Sequence, residues 1–511
     1  MSTNRETAAS TGRKKIDQGQ ERSDDALGHE SQNTSSTDGT KDGGALPSGW
    51  ERKTVGEMVE AMQYGTSAKT SEDVSGVPVL RMGNIKDGSL VLDSLKYLPA
   101  DHEEFPALLL QDGDLLFNRT NSAELVGKSA IYRGNPSPCA CASYLIRARL
   151  RDGYVPEFLA YYLNSTFGRA WVSSVVSQQV GQANVNGTKL KALSVPVPSL
   201  AEQRRIVGEI EKQFTRLEAG VAALQRVQAN LKRYRAAVLK AACEGRLVPT
   251  EAELQKSVVR GQKSKACYET GEELLARILT ERRQNWQGRG QYKEPIALDT
   301  AKLFQLPAGW TWTTLDALAE IKGGITKDQN RKHTAPARSV PYLRVANVQR
   351  GYIDLTEVKE IVTTEDEIRE LALKRGDILF NEGGDRDKLG RGWVWNGELP
   401  ECIHQNHVFR ARLYVGALNP KLVSWYANTF GQKFFFDEGK HTTNLASISM
   451  SKLKGLPVPI PPPAEQTRIV AEVERRLSVV EELEAVVSAN LQRATRLRQS
   501  ILQKAFTGEL V

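Results

Sequence analysis

The strongest constraint on this chain is that most of it is written twice. Leu108–Asn118 reads LLLQDGDLLFN and Leu371–Asn381 reads LALKRGDILFN, identical at 7 of 11 positions at an offset of 263. LKALSVPVPSLAEQRRIV (190–207) returns as LKGLPVPIPPPAEQTRIV (453–470), identical at 12 of 18 at the same offset. The same shift aligns VPVLR (77–81) with VPYLR (340–344), RARL (147–150) with 410–413, and GRLV (245–248) with GELV (508–511). Only LPSGW at 46 and LPAGW at 306 differ, at an offset of 260. Two copies are too few for a solenoid, whose units bury their faces only against neighbours. The pattern predicts two similar domains in a pseudo-twofold arrangement.

Within each copy the texture changes once. Short β-branched runs broken by Gly, Asn and Pro, such as VPVLRMGNI, GDLLFNR and ASYLIRARL, predict a strand-rich mixed domain. PEFLAYYLNSTFGRAWV between them predicts a helix ending near Gly168. After VPVPSL or VPIPPP, AEQ opens a long helix with an acidic residue in its first turn. Ile206, Ile210, Phe214, Leu217, Val221, Leu224, Val227, Leu231, Tyr234 and Val238 recur at steps of three and four over Ala201–Ala242. Ile469, Val473, Leu477, Val480, Leu483, Val487, Leu491, Leu497 and Ile501 do so over Ala464–Ala505. Stripes this long with charged flanks predict coiled-coil pairing of the two helices. Phe214, Leu217, Leu231, Tyr234, Leu477, Leu491 and Phe506 are the candidate seam or docking residues.

The expected fold class is α+β: two similar mixed α/β domains separated by two long antiparallel coiled-coil helices, from an internal duplication. The expected boundaries are a tail over 1–45, a first domain over 46–199 and a central helix over 200–248. A polar connector with one short helix over 249–305, a second domain over 306–462 and a C-terminal helix over 463–511 complete the division. In the connector helix Leu274, Leu275, Ile278 and Leu279 read as a packed face. The tail has almost no large apolar residue, so burial cannot offset its ordering entropy and disorder is expected.

Charge and motifs narrow the function by exclusion. Lys and Arg number 69 against 61 Asp and Glu, a net charge of +8, which suits a polyanionic partner without requiring one. Cys139, Cys141, Cys243, Cys267 and Cys402 lack paired metal-ligand spacing and read as thiols of a reducing compartment. No apolar run approaches the roughly 20 residues that cross a bilayer, and the amino terminus lacks a signal-peptide stretch, so a cytoplasmic location and no membrane partner are expected. SAELVGKS (122–129) ends like a phosphate loop, yet Ser122 replaces the motif's first glycine and the second copy reads LGRG (389–392), which favours a structural turn. His404 and His407 have Cys141 and Tyr144 as their repeat equivalents, so packing or base contact is expected rather than a metal site. Asp354, Glu357 and Lys359 are too closely spaced for a nuclease cluster, and no Asn-Pro-Pro-aromatic segment marks a methylation pocket. The chain is expected to hold no catalytic residue and no metal.

Framework residues repeat while the polar residues between them change. FNRTNSAELVGK (117–128) corresponds to FNEGGDRDKLGR (380–391), and GQANVNGTKL (181–190) to TNLASISMSKL (443–453). Polar side chains in such loops hydrogen-bond base edges and phosphates. The candidate DNA-binding residues are therefore Arg119, Asn121, Gln178, Gln179, Asn184, Asn186 and Lys189 in the first copy. In the second they are Lys327, Arg331, Arg386, Lys388, Arg391, His441, Thr442 and Asn444.

LPxGW, VPxLRxxNI, GDxLFN, the VPxP-x-x-AEQ-x-RIV junctions and the A-x-x-G-x-L-V helix ends (Ala242, Gly245, Leu247, Val248; Ala505, Gly508, Leu510, Val511) occur together. In this combination the chain resembles the specificity subunit of type I restriction-modification systems over about residues 46–511. The polar amino-terminal tail departs from that pattern. The resemblance implies two target recognition domains, each reading one half of a bipartite double-stranded DNA site, and helices that set the spacer and dock partners. It implies two methyltransferase subunits that bring S-adenosylmethionine, and restriction subunits that use ATP and magnesium. It implies no cofactor on this chain and no reaction catalysed by it. Two rival readings fit less well: a self-sufficient nuclease or methyltransferase lacks an active site, and a coiled-coil adaptor leaves two polar-looped domains unexplained.

Overall fold

The computed structural model describes residues 46–179, 182–258, 268–286, 290–326, 335–384, 389–414, 418–438, 440–441 and 446–511. Two units emerge, one running through Val207 and taking in Phe506–Val511, the other spanning Gly208–Ala505.

In the first unit the LLFN run becomes a strand, Leu115–Asn118, with all four residues buried. It lies inside a four-stranded antiparallel sheet ordered Val59–Tyr64, Leu145–Leu150, Leu115–Asn118, Ser129–Ile131. A second sheet is ordered Ala140–Cys141, Val77–Leu80, Lys96–Leu98. Glu51–Thr54 pairs antiparallel with Ser194–Val197 at the domain's entry and exit. The second unit repeats the plan with Ala319–Lys322, Val408–Leu413, Ile378–Asn381 and Gly392–Val394. Ile403–His404, Ala337–Leu343 and Lys359–Thr364 form its second sheet, and Thr311–Thr314 pairs with Pro457–Ile460.

The repeated motifs are the polar joints of this plan. The buried Asp114 carboxylate accepts from the Gln111 N–H (2.8 Å) and from Arg149 Nε and Nη2 (2.8 and 2.9 Å). Asp377 does the same with the Lys374 N–H and Arg412, all at 2.7 Å. Asn84 Nδ2 donates to the Val91 and Asp93 carbonyls (2.8 and 3.1 Å), and Asn347 Nδ2 to those of Asp354 and Glu357 (2.8 and 2.9 Å). The AEQ glutamine ties helix start to domain: Gln203 Oε1 accepts from the Val155 N–H (2.9 Å) and Gln466 Oε1 from the Asn419 N–H (3.0 Å). The AEQ glutamate receives the indole of LPxGW, Trp50 to Glu202 at 3.1 Å and Trp310 to Glu465 at 2.9 Å. The helix-end glycines close the same corners. Gly245 (φ +68°) and Gly508 (φ +77°) have left-handed backbones, and a Cβ would lie 2.5 Å from Pro307 or 2.9 Å from Pro47.

The long helices run Leu200–Cys243 and Pro463–Phe506, one residue beyond the striped spans Ala201–Ala242 and Ala464–Ala505 at each end, and they stop short of the 248 and 511 expected for the helical segments. Within the second unit they pair antiparallel, since Glu218 meets Arg498 (3.1 Å) while Arg235 meets Glu484 (3.1 Å) and Glu481 (3.6 Å). Leu231, Val480 and Val487 form the buried centre of the pair, flanked by Leu224 and Leu491. Phe214 is buried beneath the Arg498 guanidinium, 4.0 Å from the ring centroid, and Leu217 is half-buried.

Parts of the predicted seam are corrected. Val227, Tyr234, Leu483 and Leu497 are exposed, because a single partner helix covers only a narrow strip of each stripe, centred on Leu231, Val480 and Val487. Ile469, Val473 and Leu477 pack instead into the second domain's core, together with Val238 and Cys243. Phe506 is not a seam residue either; its ring lies 5.2 Å from Phe158 and 5.1 Å from Tyr162, in the first unit's core. The single helix expected over PEFLAYYLNSTFGRAWV is two, Pro156–Asn164 and Thr166–Val175, because Ser165 caps the second and its Oγ accepts from the Gly168 N–H. Among its described residues the connector carries two helices where one was expected, Glu251–Val258 and Gly271–Gln284, with Leu274 and Ile278 buried against the second domain and Leu275 and Leu279 half-buried.

Candidate nucleic-acid interface

Each domain carries a small three-stranded sheet built directly on the end of its buried LFN strand. In the first it is ordered Thr120–Asn121, Gln182–Asn184, Ser177–Gln179. In the second it is ordered Gly383–Gly384, Ala446–Ser447, Lys440–His441. In the first sheet Thr120 and Ala183 are buried, whereas Asn121 and Asn184 are half-buried and Ser177 is exposed.

The first sheet gathers the residues singled out from the sequence. Arg119 precedes its first strand; the guanidinium lies over the Tyr64 ring, 4.6 Å from the centroid, and Nη1 reaches the Ser143 carbonyl at 3.4 Å. Arg119 Nε is buried without a hydrogen-bond partner among the described residues. Asn121 Oδ1 accepts from the Ser122 N–H, and Asn184 Nδ2 donates to Thr120 Oγ1 (2.8 Å). Gln178 and Gln179 lie on the outer strand, in register with Ala183 and Gln182. Asn186 caps the helix Gly187–Ala192, its Oδ1 accepting from the Lys189 N–H (2.9 Å). Lys189 Nζ donates to the Val175 carbonyl (2.6 Å) and Ser177 Oγ (2.7 Å). Tyr64, absent from the sequence-derived set, joins both sides of this cluster, because its hydroxyl also accepts from the Gly187 N–H (2.9 Å).

In the second domain His441 lies on the corresponding outer strand, and Arg391 is half-buried with Nη2 3.3 Å from the Val345 carbonyl. Lys327, Arg331, Arg386, Lys388, Thr442 and Asn444 lie outside the described residues.

The motifs set aside on sequence grounds have structural roles. Gly127 takes φ +84° in a turn and Ser129 is buried on a strand, its Oγ donating to the Gly127 carbonyl. His404 is fully buried with Nδ1 2.7 Å from the Val408 carbonyl, and burial pushes its pKa down to about 4. His407 instead meets Glu382, Nδ1 to Oε2 at 2.6 Å. Cys139, Cys141 and Cys402 are free and buried, their thiols pushed up to about 12 by desolvation, which makes them inert; Cys267 lies outside the described residues. Among the described residues no group of His, Cys, Asp and Glu is arranged to hold a metal, and no helix is long and apolar enough to cross a membrane.

Residues 47–223 match the family described as the type I restriction modification DNA specificity domain. The type I restriction enzyme EcoKI specificity subunit of Escherichia coli is 24% identical over 91% of this chain and 90% of its own length. The StySPI specificity subunit of Salmonella potsdam is 25% identical over the same shares. Along about nine-tenths of its length the chain is similar to type I specificity subunits. The fold agrees: a structure solved in work on complex assembly of the type I R-M system superposes with a TM-score of 0.61 at 18% identity, covering 91% of this chain and 99% of that one. The HsdS subunit from Thermoanaerobacter tengcongensis gives 0.51 at 18%, over 92% and 99%. The matched family is that of a DNA specificity domain, and the matched relatives are specificity subunits of type I restriction enzymes.

Proposed function

We propose that each three-stranded sheet, with the side chains around it, reads one half of a bipartite double-stranded DNA site. The observation that carries this is the contrast between one repeated scaffold and two different polar sheets in equivalent places. In this reading Arg119, Asn121, Gln178, Gln179, Asn184, Asn186 and Lys189 serve one half-site. Lys327, Arg331, Arg386, Lys388, Arg391, His441, Thr442 and Asn444 serve the other. Lysine and arginine contacts to phosphate supply salt-sensitive affinity and the base contacts supply specificity.

The helix pair acts as spacer and as dock. Val227, Tyr234, Val479, Leu483 and Val486 remain exposed on it, an apolar surface suited to two methyltransferase subunits. Those partners bring S-adenosylmethionine, the restriction subunits bring ATP and magnesium use, and the assembly works in the cytoplasm. Matched four-residue insertions in the two helices add about 6 Å. With about 3.4 Å per base-pair step, we expect methylome mapping to return both half-sequences unchanged around a spacer one or two base pairs longer. Altered half-sequences around an unchanged spacer contradict the spacer role. For the readers themselves, Asn184→Ala or Lys189→Ala is expected to relax or weaken one half-site by about 1–3 kcal/mol. Unchanged affinity and preference across the whole first set would remove the sheet from the interface.

A further inference from the structure

Position 119 of the first domain and position 382 of the second are the same place in the fold. The Arg119 N–H donates to the Tyr144 carbonyl (3.0 Å) and the Arg119 carbonyl accepts from the Val185 N–H (2.9 Å). The Glu382 N–H donates to the His407 carbonyl (2.9 Å) and the Glu382 carbonyl accepts from the Ile448 N–H (2.8 Å). Tyr144 and His407, and likewise Val185 and Ile448, are separated by the repeat offset of 263. Each residue joins the buried LFN strand to the small recognition sheet. The side chains are opposite in charge and in hydrogen-bonding sense. Arg119 offers only donors and is braced by the Tyr64 ring. Glu382 offers only acceptors when ionised and is braced by His407 Nδ1 at 2.6 Å.

A carboxylate on a surface that meets polyanionic DNA is repelled at long range, so that location requires a short-range counterpart. The base edges supply one, because in the major groove cytosine N4 donates to a carboxylate while guanine O6 and N7 accept from arginine. We propose that this shared position is a specificity-determining one used with opposite sense, Arg119 reading a guanine in one half-site and Glu382 reading the amino group of a cytosine in the other. Tyr64 and His407 are positioning residues that hold the two readers.

The inference rests on the two-sheet reading above, and the experiment separates the two. The full chain assembled with its methyltransferase partner is used to select bound duplexes from a random-sequence library, for the native chain, Arg119→Gln and Glu382→Gln. Glutamine nearly conserves the volume of glutamate and keeps an acceptor for His407, so the second domain is expected to fold unchanged. The expected result is a bipartite native motif in which Glu382→Gln erodes a cytosine preference of about tenfold at one position of one half. Arg119→Gln is expected to erode a guanine preference in the other half only. A bipartite native motif that neither variant alters overturns this inference and leaves the two-sheet reading standing. A native chain that selects no sequence overturns both. Tyr64→Leu, which removes the ring under Arg119, and His407→Gln provide a second measurement: retention of the preferred base with reduced selectivity fits positioning, and loss of every preference in that half contradicts it.

Discussion

The interiors of the two recognition domains agree where their small sheets disagree. Asn84 and Asn347, the Asp114–Arg149 and Asp377–Arg412 pairs, Gln203 and Gln466, and the Trp50–Glu202 and Trp310–Glu465 bonds recur with nearly the same distances. At the sheets, Arg119 faces Glu382 as its equivalent and Tyr144 faces His407. A buried polar group left without its partner loses its full solvation, so interior positions tolerate little exchange. An exposed polar side chain has water as an alternative partner and is free to diverge. The residues that carry the family resemblance are therefore the joints of the scaffold, and the readers proposed here are those that the family pattern omits.

The comparison breaks most visibly if the joints prove unequal. Asp114→Ala and Asp377→Ala each strand a partly buried arginine, and both are expected to destabilise their own domain by about 3–5 kcal/mol. Thermal unfolding that finds one of them neutral would show that the repeated joints are not equivalent in energy. One buried position does differ in chemistry, His404 where the first copy has Cys141. Burial depresses the folded His404 pKa to about 4, below the roughly 6.5 of an unfolded histidine. The unfolded chain therefore takes up the proton first as pH falls. The stability that His404 contributes is complete above about pH 6.5 and is lost as pH falls towards 4, by roughly 2–3 kcal/mol. His404→Cys is expected to flatten the loss of Tm between pH 6.5 and 4.5 in the second domain, and an unchanged pH profile would count against the burial argument.

Smaller effects sharpen the same contrast. Trp310→Phe and Trp50→Phe each remove one hydrogen bond to an AEQ glutamate and are expected to cost about 1 kcal/mol apiece, more for Trp310, whose acceptor Glu465 is fully buried. Asn186→Ala removes a helix cap and is expected to cost about 1 kcal/mol. Denaturant midpoints for these variants would check the ranking, and a larger effect at Trp50 than at Trp310 would reverse it.

Much of this architecture is legible in the sequence because the repeat fixes equivalences that single-copy propensity does not. Both long helices, the strand texture and the polar loops follow from spacing and punctuation. The seam was less legible: Tyr234 and Leu483 keep the three-and-four rhythm yet face outward, since rhythm specifies a stripe and not which part of it a partner covers. The connector helix Glu251–Val258 had a signal in Thr250 and Glu253, which cap one another, but its few apolar residues concealed it. Tyr64 was unreadable because it joins Arg119 and Gly187 only through the fold. Glu382 is visible where FNE stands against FNR, but a carboxylate is an acceptor that a polyanionic partner does not call for, so its residue type conceals it.

The central claim is that one scaffold, used twice, presents two different reading surfaces. The most direct test is the motif that the native chain selects from random duplexes when assembled with its methyltransferase partner. The account predicts two non-identical half-sequences separated by a fixed unread spacer. A palindrome with identical halves, or one contiguous motif, would contradict it.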